Sequence, residues 1–387
     1  MLQSLHRACA EKDYKSVRKL LEEKRIENIN SVDLHENTAL HVACQVEDLD
    51  TVKLLLEHNA DVNAKNNQGQ TPLYMVLGVN CFYHGSVNLK IIKTLLEHNA
   101  DPNNVDNNGK TPMAIACESD DLTVVKILLE HDVDMNWTDL QGRTLLHLTT
   151  ILYASHIFEY LLSQGADINC KCDFGKTVLD YLRDMVFADG FINGQGEEVH
   201  RYQIYYCIRI YERAKIQIIK LKCAGLYVSQ HNVDLIYSDL EFQDVIKKLE
   251  NTFSLQSDDI ATLEYQCKKE IDMLKRINVC CMTLYHILAN DINKTSSLAR
   301  NKSKCQEIMR ILELNLIKVV FPIYIDLIKS RVKEAMRRNE LLDVIENYNV
   351  SKIFQGLPLI CIREIFSYCS TTDIKKFQKA IERMKMI

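Results

Sequence analysis

The stretch TALHVACQVEDLDTVKLLLEHNADVN, Thr38 to Asn63, decides how the first half of this chain folds, because the chain keeps returning to it. Its opening Thr-x-apolar pattern recurs at Thr71 (TPLY), Thr111 (TPMA), Thr144 (TLLH) and Thr177 (TVLD), at intervals of 33, 40, 33 and 33 residues. Its closing pattern recurs in phase: LLEHNADPN ends at Asn103, LLEHDVDMN at Asn136 and LLSQGADIN at Asn169. Two features locked to one period mean a single supersecondary unit, too small to bury its apolar face alone, that stacks on copies of itself.

Each unit reads as two short helices and a projecting turn. Thr38, Thr71, Thr111 and Thr144 suit a helix N-cap, and Pro72 and Pro112 fall at the first helical position, where no N–H is missed. Ala43 and Ala116 keep the first helix slim for close stacking. The second helix carries an inward stripe: Val52, Leu55 and Leu56, then Ile92, Leu95 and Leu96, then Val125, Leu128 and Leu129. It ends at Asn59, Asn99, Asp132 and Gly165, residues that tolerate the left-handed conformation. The seven extra residues of the second unit fall near Asn80 to Val87, between its helices, where a loop grows without disturbing the stack.

These signatures resemble the ankyrin repeat, whose usual TPLH and LLxxGAD stand here as TALH, TPLY, LLEHNAD and LLSQGAD. Four full repeats cover about residues 35–170, with an N-terminal cap in LHRAC (Leu5 to Cys9) and a degenerate fifth unit from Phe174. The resemblance implies a stack that presents a concave face and a row of finger turns to a partner protein and has no catalytic apparatus. His35, Asn67, Asn107 and Asp139 lie on fingers and are candidate target contacts. So is Trp137, the chain's single Trp, at a position filled elsewhere by Ala64, Asn104 and Cys170. It is either an interface anchor or packed beside its own repeat. His41 and His147 belong to the repeat signature, and His58, His98 and His131 end helices, so the histidines read as structural.

Composition narrows the rest. The 387 residues allow two or three domains, and 47% hydrophobic with 26% charged residues is the balance of an ordinary globular protein. Only 12 Gly and 5 Pro occur, too few for a turn-dense all-β fold, so an all-α protein is expected. The net charge of −5 argues against a dedicated nucleic-acid binder. It splits unevenly. Residues 1–180 hold 16 Lys+Arg against 26 Asp+Glu, and residues 181–387 hold 31 against 26, which places a module boundary near 180. We expect ankyrin repeats over residues 1–182, a linker over 183–200 around ADGFINGQGEEV, and a helical domain over 201–387.

No apolar stretch near the start suits a secretory signal, and the longest apolar run, Val319 to Ile325, is seven residues where a membrane span needs about 20. The expectation is a soluble protein of the cytoplasm or nucleus, with no membrane partner, whose 14 cysteines are thiols rather than disulfides. Cys170-Lys-Cys172 and Cys280-Cys281 lack metal-ligand spacing, and the linker glycines lack the ending of a phosphate loop, so no metal and no cofactor are assigned.

Past residue 200 the 33-residue beat gives way to longer helical patterns. From Ser257 as N-cap, Ile260, Leu263, Cys267, Ile271, Leu274, Ile277, Cys281, Leu284 and Leu288 step by three and four, which predicts one long amphipathic helix. Lys329, Arg331, Lys333, Arg337 and Arg338 read as a solvated helix face rather than a nuclear-import or nucleic-acid patch. LPLICIREIFSYCSTTDIKKF, Leu357 to Phe377, resembles the opening of an F-box, LPxEIxxxILxYLxxxDL. FPIYIDLIKSRVKEAMRRNELLDVI before it resembles the PRANC domain that accompanies ankyrin repeats in poxvirus, parasitoid-wasp and endosymbiont proteins, here over about residues 318–387. That resemblance implies that Leu357, Pro358, Ile362, Ile365 and Phe366 face the small adaptor subunit of an SCF (cullin-RING) ubiquitin ligase while the repeats hold an unknown target protein. Ile360 departs from the usual Glu, Cys361 and Cys369 replace larger aliphatics, and about ten residues follow Phe377. The chain is then a non-enzymatic substrate adaptor acting in host-pathogen or host-parasite interaction. The alternative is an ankyrin scaffold that sequesters a host signalling or transcription factor, of an NF-kappaB-like pathway, without recruiting a ligase.

Overall fold

A computed structural model of the chain describes residues 2–23, 28–78, 89–131, 133–187, 198–252, 259–276, 278–279, 282–289, 302–313 and 324–347. It is mostly helical. The helices are α1 (Leu2–Ala10), α2 (Tyr14–Glu22), α3 (Ala39–Gln45), α4 (Leu49–Glu57), α5 (Pro72–Gly78), α6 (Leu89–Glu97), α7 (Pro112–Glu118), α8 (Leu122–Leu129), α9 (Leu145–Ile151), α10 (Ser155–Ser163) and α11 (Val178–Phe187). There follow α12 (Glu198–Cys223), α13 (Gln230–Tyr237), α14 (Leu240–Thr252), α15 (Ile260–Leu274), a two-residue hairpin of β1 (Asn278–Val279) and β2 (Met282–Thr283), α16 (Leu284–Ala289), α17 (Lys302–Glu313) and α18 (Ile325–Asn347). The chain divides into two compact units, Met1–Phe158 with Cys170–Met185, and Glu159–Asn169 with Val186–Ile387.

In the first unit the helices come in pairs, seven to ten residues each, and their ends are set by side chains. Thr38 and Thr111 accept the N–H groups of His41 and Ala114 at 3.4 and 3.2 Å, as an N-cap must. The second helices carry their own caps: Asp48 accepts the N–H of Thr51, and Asp121 those of Thr123 and Val124. Asn59, Asn99 and Gly165 end α4, α6 and α10 with φ of 62°, 65° and 94°, while Asp132 lies outside the described residues. Glu47, Asp120 and Tyr153 also sit at positive φ, in the tight turn between the paired helices, a strain that residue type alone did not advertise. Of the inward stripes Val52, Leu55, Ile92, Leu95, Val125 and Leu128 are fully enclosed and Leu56 and Leu96 are buried, while Leu129 is only half-buried. Ala43 and Ala116 are equally enclosed, and Leu5, Cys9 and Val17 form the core of the N-terminal pair.

Neighbouring repeats are tied by the side chains of Asn30, Asn63 and Asn103. Asn30 accepts the backbone N–H of Asp61, Asn63 that of Asp101 and Asn103 that of Asp134, at 2.7–2.8 Å. Asn63 also donates to the Asn99 carbonyl. Asn169 repeats the device on a different target: it accepts from Ser229 at 2.9 Å and donates to the Tyr227 carbonyl. The loop it clamps follows Gly225, at φ 69°, where Leu226 N–H bonds back to Leu221 as Ala60 and Ala100 bond back to Leu55 and Leu95. The next helix pair keeps the same grammar. Asp239 N–H bonds back to Asp234 and its carboxylate caps Phe242, as Asp48 N–H bonds back to Ala43 and its carboxylate caps Thr51. So the local rules of the repeat continue through α12 to α14 after its period has gone.

The core of the second unit is built on Tyr324. Its hydroxyl donates to the Lys220 carbonyl at 2.9 Å and its N–H donates to the nearly buried Glu270 carboxylate at 2.9 Å, which starts α18 against α12 and α15. Ile325, Ile328, Val332 and Ala335 then face inward at steps of three and four. Lys333 on the same helix is exposed and Lys329, Arg331 and Arg337 are half-buried, with the Arg338 side chain outside the described residues.

Two expectations change. The predicted helix from Ile260 to Leu288 is α15, capped by Asp259 and stopped at Leu274, then the β1–β2 hairpin, then α16. Asn278 and Val279, poor helix formers, stand where it breaks. In the predicted linker, Glu198 already opens α12, and residues 188–197 lie outside the described residues. So do the Asn80–Val87 loop and the whole F-box-like segment with Leu357, Pro358, Ile362, Ile365 and Phe366. Among the described residues no helix is long and apolar enough to cross a membrane, and no group of three or more His, Cys, Asp or Glu is placed to hold a metal ion.

The Asn169 clamp is worth testing by Asn169→Ala. Loss of its two bonds to the Tyr227–Ser229 loop should cost about 1–3 kcal/mol, read as a lower urea midpoint.

Candidate protein-binding face

Five finger turns project from the first unit, and one backbone bond closes each: Asp33 N–H to Asn37, Asn66 to Gln70, Asp106 to Lys110, Asp139 to Arg143 and Cys172 to Lys176. In the first four, the leading side-chain oxygen accepts two further backbone N–H groups, at positions two and four residues on. The fourth residue has positive φ in every finger: Glu36, Gly69, Gly109, Gly142 and Gly175. Cys172 occupies the acceptor slot of the fifth, with the Tyr181 hydroxyl 3.6 Å from its sulfur. Burial raises its thiol, but that hydroxyl and the N–H groups of Lys176 and Phe174 outweigh burial and leave it lowered. Burial likewise raises the Asp139 carboxyl, and the Arg143 N–H, its guanidinium and the Gln141 N–H overcome this and hold it below the usual range.

Fingers join their neighbours directly. His35 offers its carbonyl to Asn67 N–H at 3.1 Å, Gln68 to Asn107 N–H at 2.9 Å, and Gln141 to Asp173 N–H at 3.0 Å. This close approach is why glycine stands at 69 and 142: a Cβ there would lie 2.9 Å from the backbone nitrogen of Asn107 or Asp173. Gly175 meets nothing within 4 Å.

His41 and His147 bind the fingers to the helices. Nδ1 of each faces its Thr backbone N–H, at 3.1 Å for Thr38 and 3.2 Å for Thr144, and a backbone N–H can only donate. The proton therefore sits on Nε2, which donates to the Gln70 carbonyl at 3.0 Å or the Lys176 carbonyl at 3.1 Å in the next finger. Both rings are buried, and burial lowers their pKa more than the carbonyl bonds raise it. Tyr74 takes this role in the second repeat, donating to Asp106 at 2.8 Å. His58 and His98 meet the carbonyls of Leu54 and Thr94 at their helix ends.

The residues singled out from sequence separate into two kinds. His35, Asn67 and Asn107 are exposed and linked in one ladder, since Asn107 also donates its side-chain amide to the Asn67 carbonyl at 3.0 Å. Trp137 and Asp139 are half-buried and engaged: the indole N–H donates to the Gly109 carbonyl at 3.0 Å, and Asp139 pairs with Arg143 at 2.6 Å. Trp137 thus packs beside its own stack. Sequence reading passed over the apolar tips, where Leu34 is 98% exposed, Leu140 79% and Phe174 67%. The signal was available, because Leu34 and Leu140 stand where Asn67 and Asn107 stand in sibling fingers, at positions that point away from the core. Below the tips two basic residues are paired, Lys110 with Glu118 at 2.7 Å and Lys176 with Asp184 at 2.6 Å. The face therefore offers apolar points on a polar base.

The family model described as ankyrin repeats (3 copies) matches residues 5–82 and 77–172. Residues 5–172 are ankyrin repeats. Tyrosine-protein kinase HTK16 of Hydra vulgaris is 39% identical over 88 residues, 22% of this chain and 11% of that protein, an ankyrin-region match. Ankyrin repeat domain-containing protein 13C is 46% identical over 57 residues, 15% of this chain, in both Danio rerio and Homo sapiens, covering 12% and 10% of those proteins. The chain thus spans about a tenth of the length of these curated relatives. Ankyrin repeats indicate a protein-binding role.

Two predictions follow from the geometry of this face. Gly142→Ala should cost about 2 kcal/mol or more, through left-handed strain plus collision with Asp173, and Gly175→Ala about 1 kcal/mol, through strain alone; urea titration of both variants reads the difference. The buried histidines give a pH dependence. A folded pKa below the unfolded value of about 6.5 makes their contribution complete above that pH and lost as pH falls beneath it. Thermal midpoints should therefore fall between about pH 7 and pH 5, with a shallower slope in the His41→Gln/His147→Gln double variant.

Proposed function

We propose that the protein is a substrate adaptor whose ankyrin fingers hold a target protein and whose C-terminal segment offers that target to an SCF (cullin-RING) ubiquitin ligase, in a host-pathogen or host-parasite setting. The observation that carries the binding half is the rigid ladder of fingers with Leu34, Leu140 and Phe174 exposed at its tips. A target burying those three side chains gains apolar contact without ordering a loop first, which is where binding energy is otherwise lost. His35, Asn67 and Asn107 supply polar contacts between the tips, with Trp137 and Asp139 fixing the fourth finger beneath Leu140.

The recruiting half rests on LPLICIREIFSYCSTTDIKKF, in which Leu357, Pro358, Ile362, Ile365 and Phe366 match the adaptor-facing positions of an F-box. Catalysis is then by proximity. Holding a target lysine near a charged ubiquitin carrier raises its effective concentration, and the chain itself performs no chemistry. Such a protein acts in the cytoplasm or nucleus, where the ligase is found.

Pull-down with the purified SCF adaptor subunit tests the reading. Wild type should retain the adaptor, Pro358→Glu and Ile365→Asp should each lose at least tenfold in retention, and Leu34→Asp/Leu140→Asp should retain it unchanged while losing the target. Failure of wild type to bind the adaptor overturns ligase recruitment and leaves sequestration of a host signalling factor by the ankyrin face.

A further inference from the structure

Along the row of fingers, one junction is built differently from the others. A Cβ at Gly69 or Gly142 would lie 2.9 Å from the backbone nitrogen of the following finger. One at Gly109 would meet only the Leu140 side chain, Cδ2 at 3.6 Å and Cγ at 3.8 Å, with no backbone atom of the fourth finger within 4 Å. The third and fourth fingers therefore stand apart where the others touch. The backbone rung is missing too. Asn67 N–H bonds to His35, Asn107 to Gln68 and Asp173 to Gln141, but among the described residues no bond joins Leu140 N–H to the Asn108 carbonyl, the pair in the same register. Asn136, in the register of Asn63 and Asn103, is exposed, and among the described residues its side chain accepts no backbone N–H. What joins the two segments is the indole N–H of Trp137 to the Gly109 carbonyl at 3.0 Å, a bond made by a side chain rather than by the backbone.

The gap is not a slack finger. Asp106 and Asp139 each accept two backbone N–H groups of their own finger, and Arg143 closes on Asp139 at 2.6 Å, so both fingers keep their shape. Nor do the helices part beneath it, since α7 packs on α9 no less than α5 packs on α7. Two well-formed fingers that share a packed helix contact but no rung have the geometry of a hinge, with its pivot at the helices and its freedom at the tips.

We propose that the finger row moves as two jaws about the α7–α9 contact, the first three fingers on one side and the fourth and fifth on the other. Leu34 belongs to the first jaw, and Leu140 and Phe174 to the second. The motion therefore changes the distance between the apolar tips of the two jaws while the backbone rungs hold the spacing within each. A target that buries tips of both jaws selects one opening, and its affinity is reduced by the fraction of time the jaws spend at others. That consequence rests on the target-binding role proposed for the fingers, whereas the motion belongs to the free chain.

Double electron–electron resonance on the full-length chain reads the motion, with spin labels carried by non-canonical amino acids because the chain holds 14 cysteines. His35, Gln68, Asn108 and Gln141 are exposed and occupy the same place in successive fingers. Labels at 35 and 108 thus span two fingers within a jaw, and labels at 68 and 141 span two fingers across the gap. The expected result is a narrow distance distribution for the first pair and one about twofold broader for the second. Leu140→Asn places at this junction the residue found at 67 and 107, where the Asn107 side chain donates to the Asn67 carbonyl. It should narrow the second distribution to the width of the first. Equal widths in the two pairs, or a width across the gap that Leu140→Asn leaves unchanged, would overturn the proposal. No target or ligase takes part in the measurement, so its failure is distinct from failure of the binding role.

Discussion

An α-helix leaves its first four N–H groups and last four carbonyls without partners inside the helix, so a helix of seven residues such as α3 or α7 has most of its backbone unsatisfied. That shortage governs everything built from the repeat. Thr38 and Thr111 answer it at the first helix, Asp48 and Asp121 at the second, and Asn63 and Asn103 in the loop beyond. The motif that makes the sequence recognisable is for the most part this set of side-chain oxygens, with leucines and valines between them. Each unit is therefore completed by its neighbour, which makes the stack a chain of nearest-neighbour contacts rather than one core.

The binding face inherits its rigidity from the same source. Each fingertip is held by a side-chain acceptor at its root and by the adjoining finger's backbone, so the polar residues that look available are largely occupied with the fold. At the tips themselves Leu34, Leu140 and Phe174 stand exposed and widely spaced. Beneath them Lys110, Arg143 and Lys176 are each matched by a carboxylate, while residues 1–180 as a whole carry an acidic excess of 26 Asp+Glu over 16 Lys+Arg.

The sequence made the first unit legible because its rules are local and recur in register: the helix stripes, the caps and the left-handed stops at Asn59, Asn99 and Gly165 all follow from residue type and period. It said less about Glu47, Asp120 and Tyr153, whose positive φ is imposed by the turn rather than preferred by the side chain. The second unit was harder to read for a physical reason. Once α12 lengthened to 26 residues the period was lost, and the device at Asp239, like the partners of Asn169, could be recognised only by what is bonded there. The helix expected across Ile277 failed where apolar spacing continued through residues of poor helix propensity, since spacing records which side faces inward and not whether the backbone turns. At the fingers the exposed apolar tips were overlooked, although Leu34 and Leu140 share the register of Asn67 and Asn107, because a leucine taken by itself suggests burial whatever its register.

Trp137 has a further role in this architecture. The first helices of three repeats reach the next finger through His41, Tyr74 and His147, but Ala114 in the third has no polar atom to send. The indole of Trp137 supplies a bond in the opposite direction, from the fourth repeat back to Gly109. The chain's sole indole is thus lodged at the one rung that lacks its own bridge, and its ultraviolet emission is a natural gauge of whether that rung is shut or sprung.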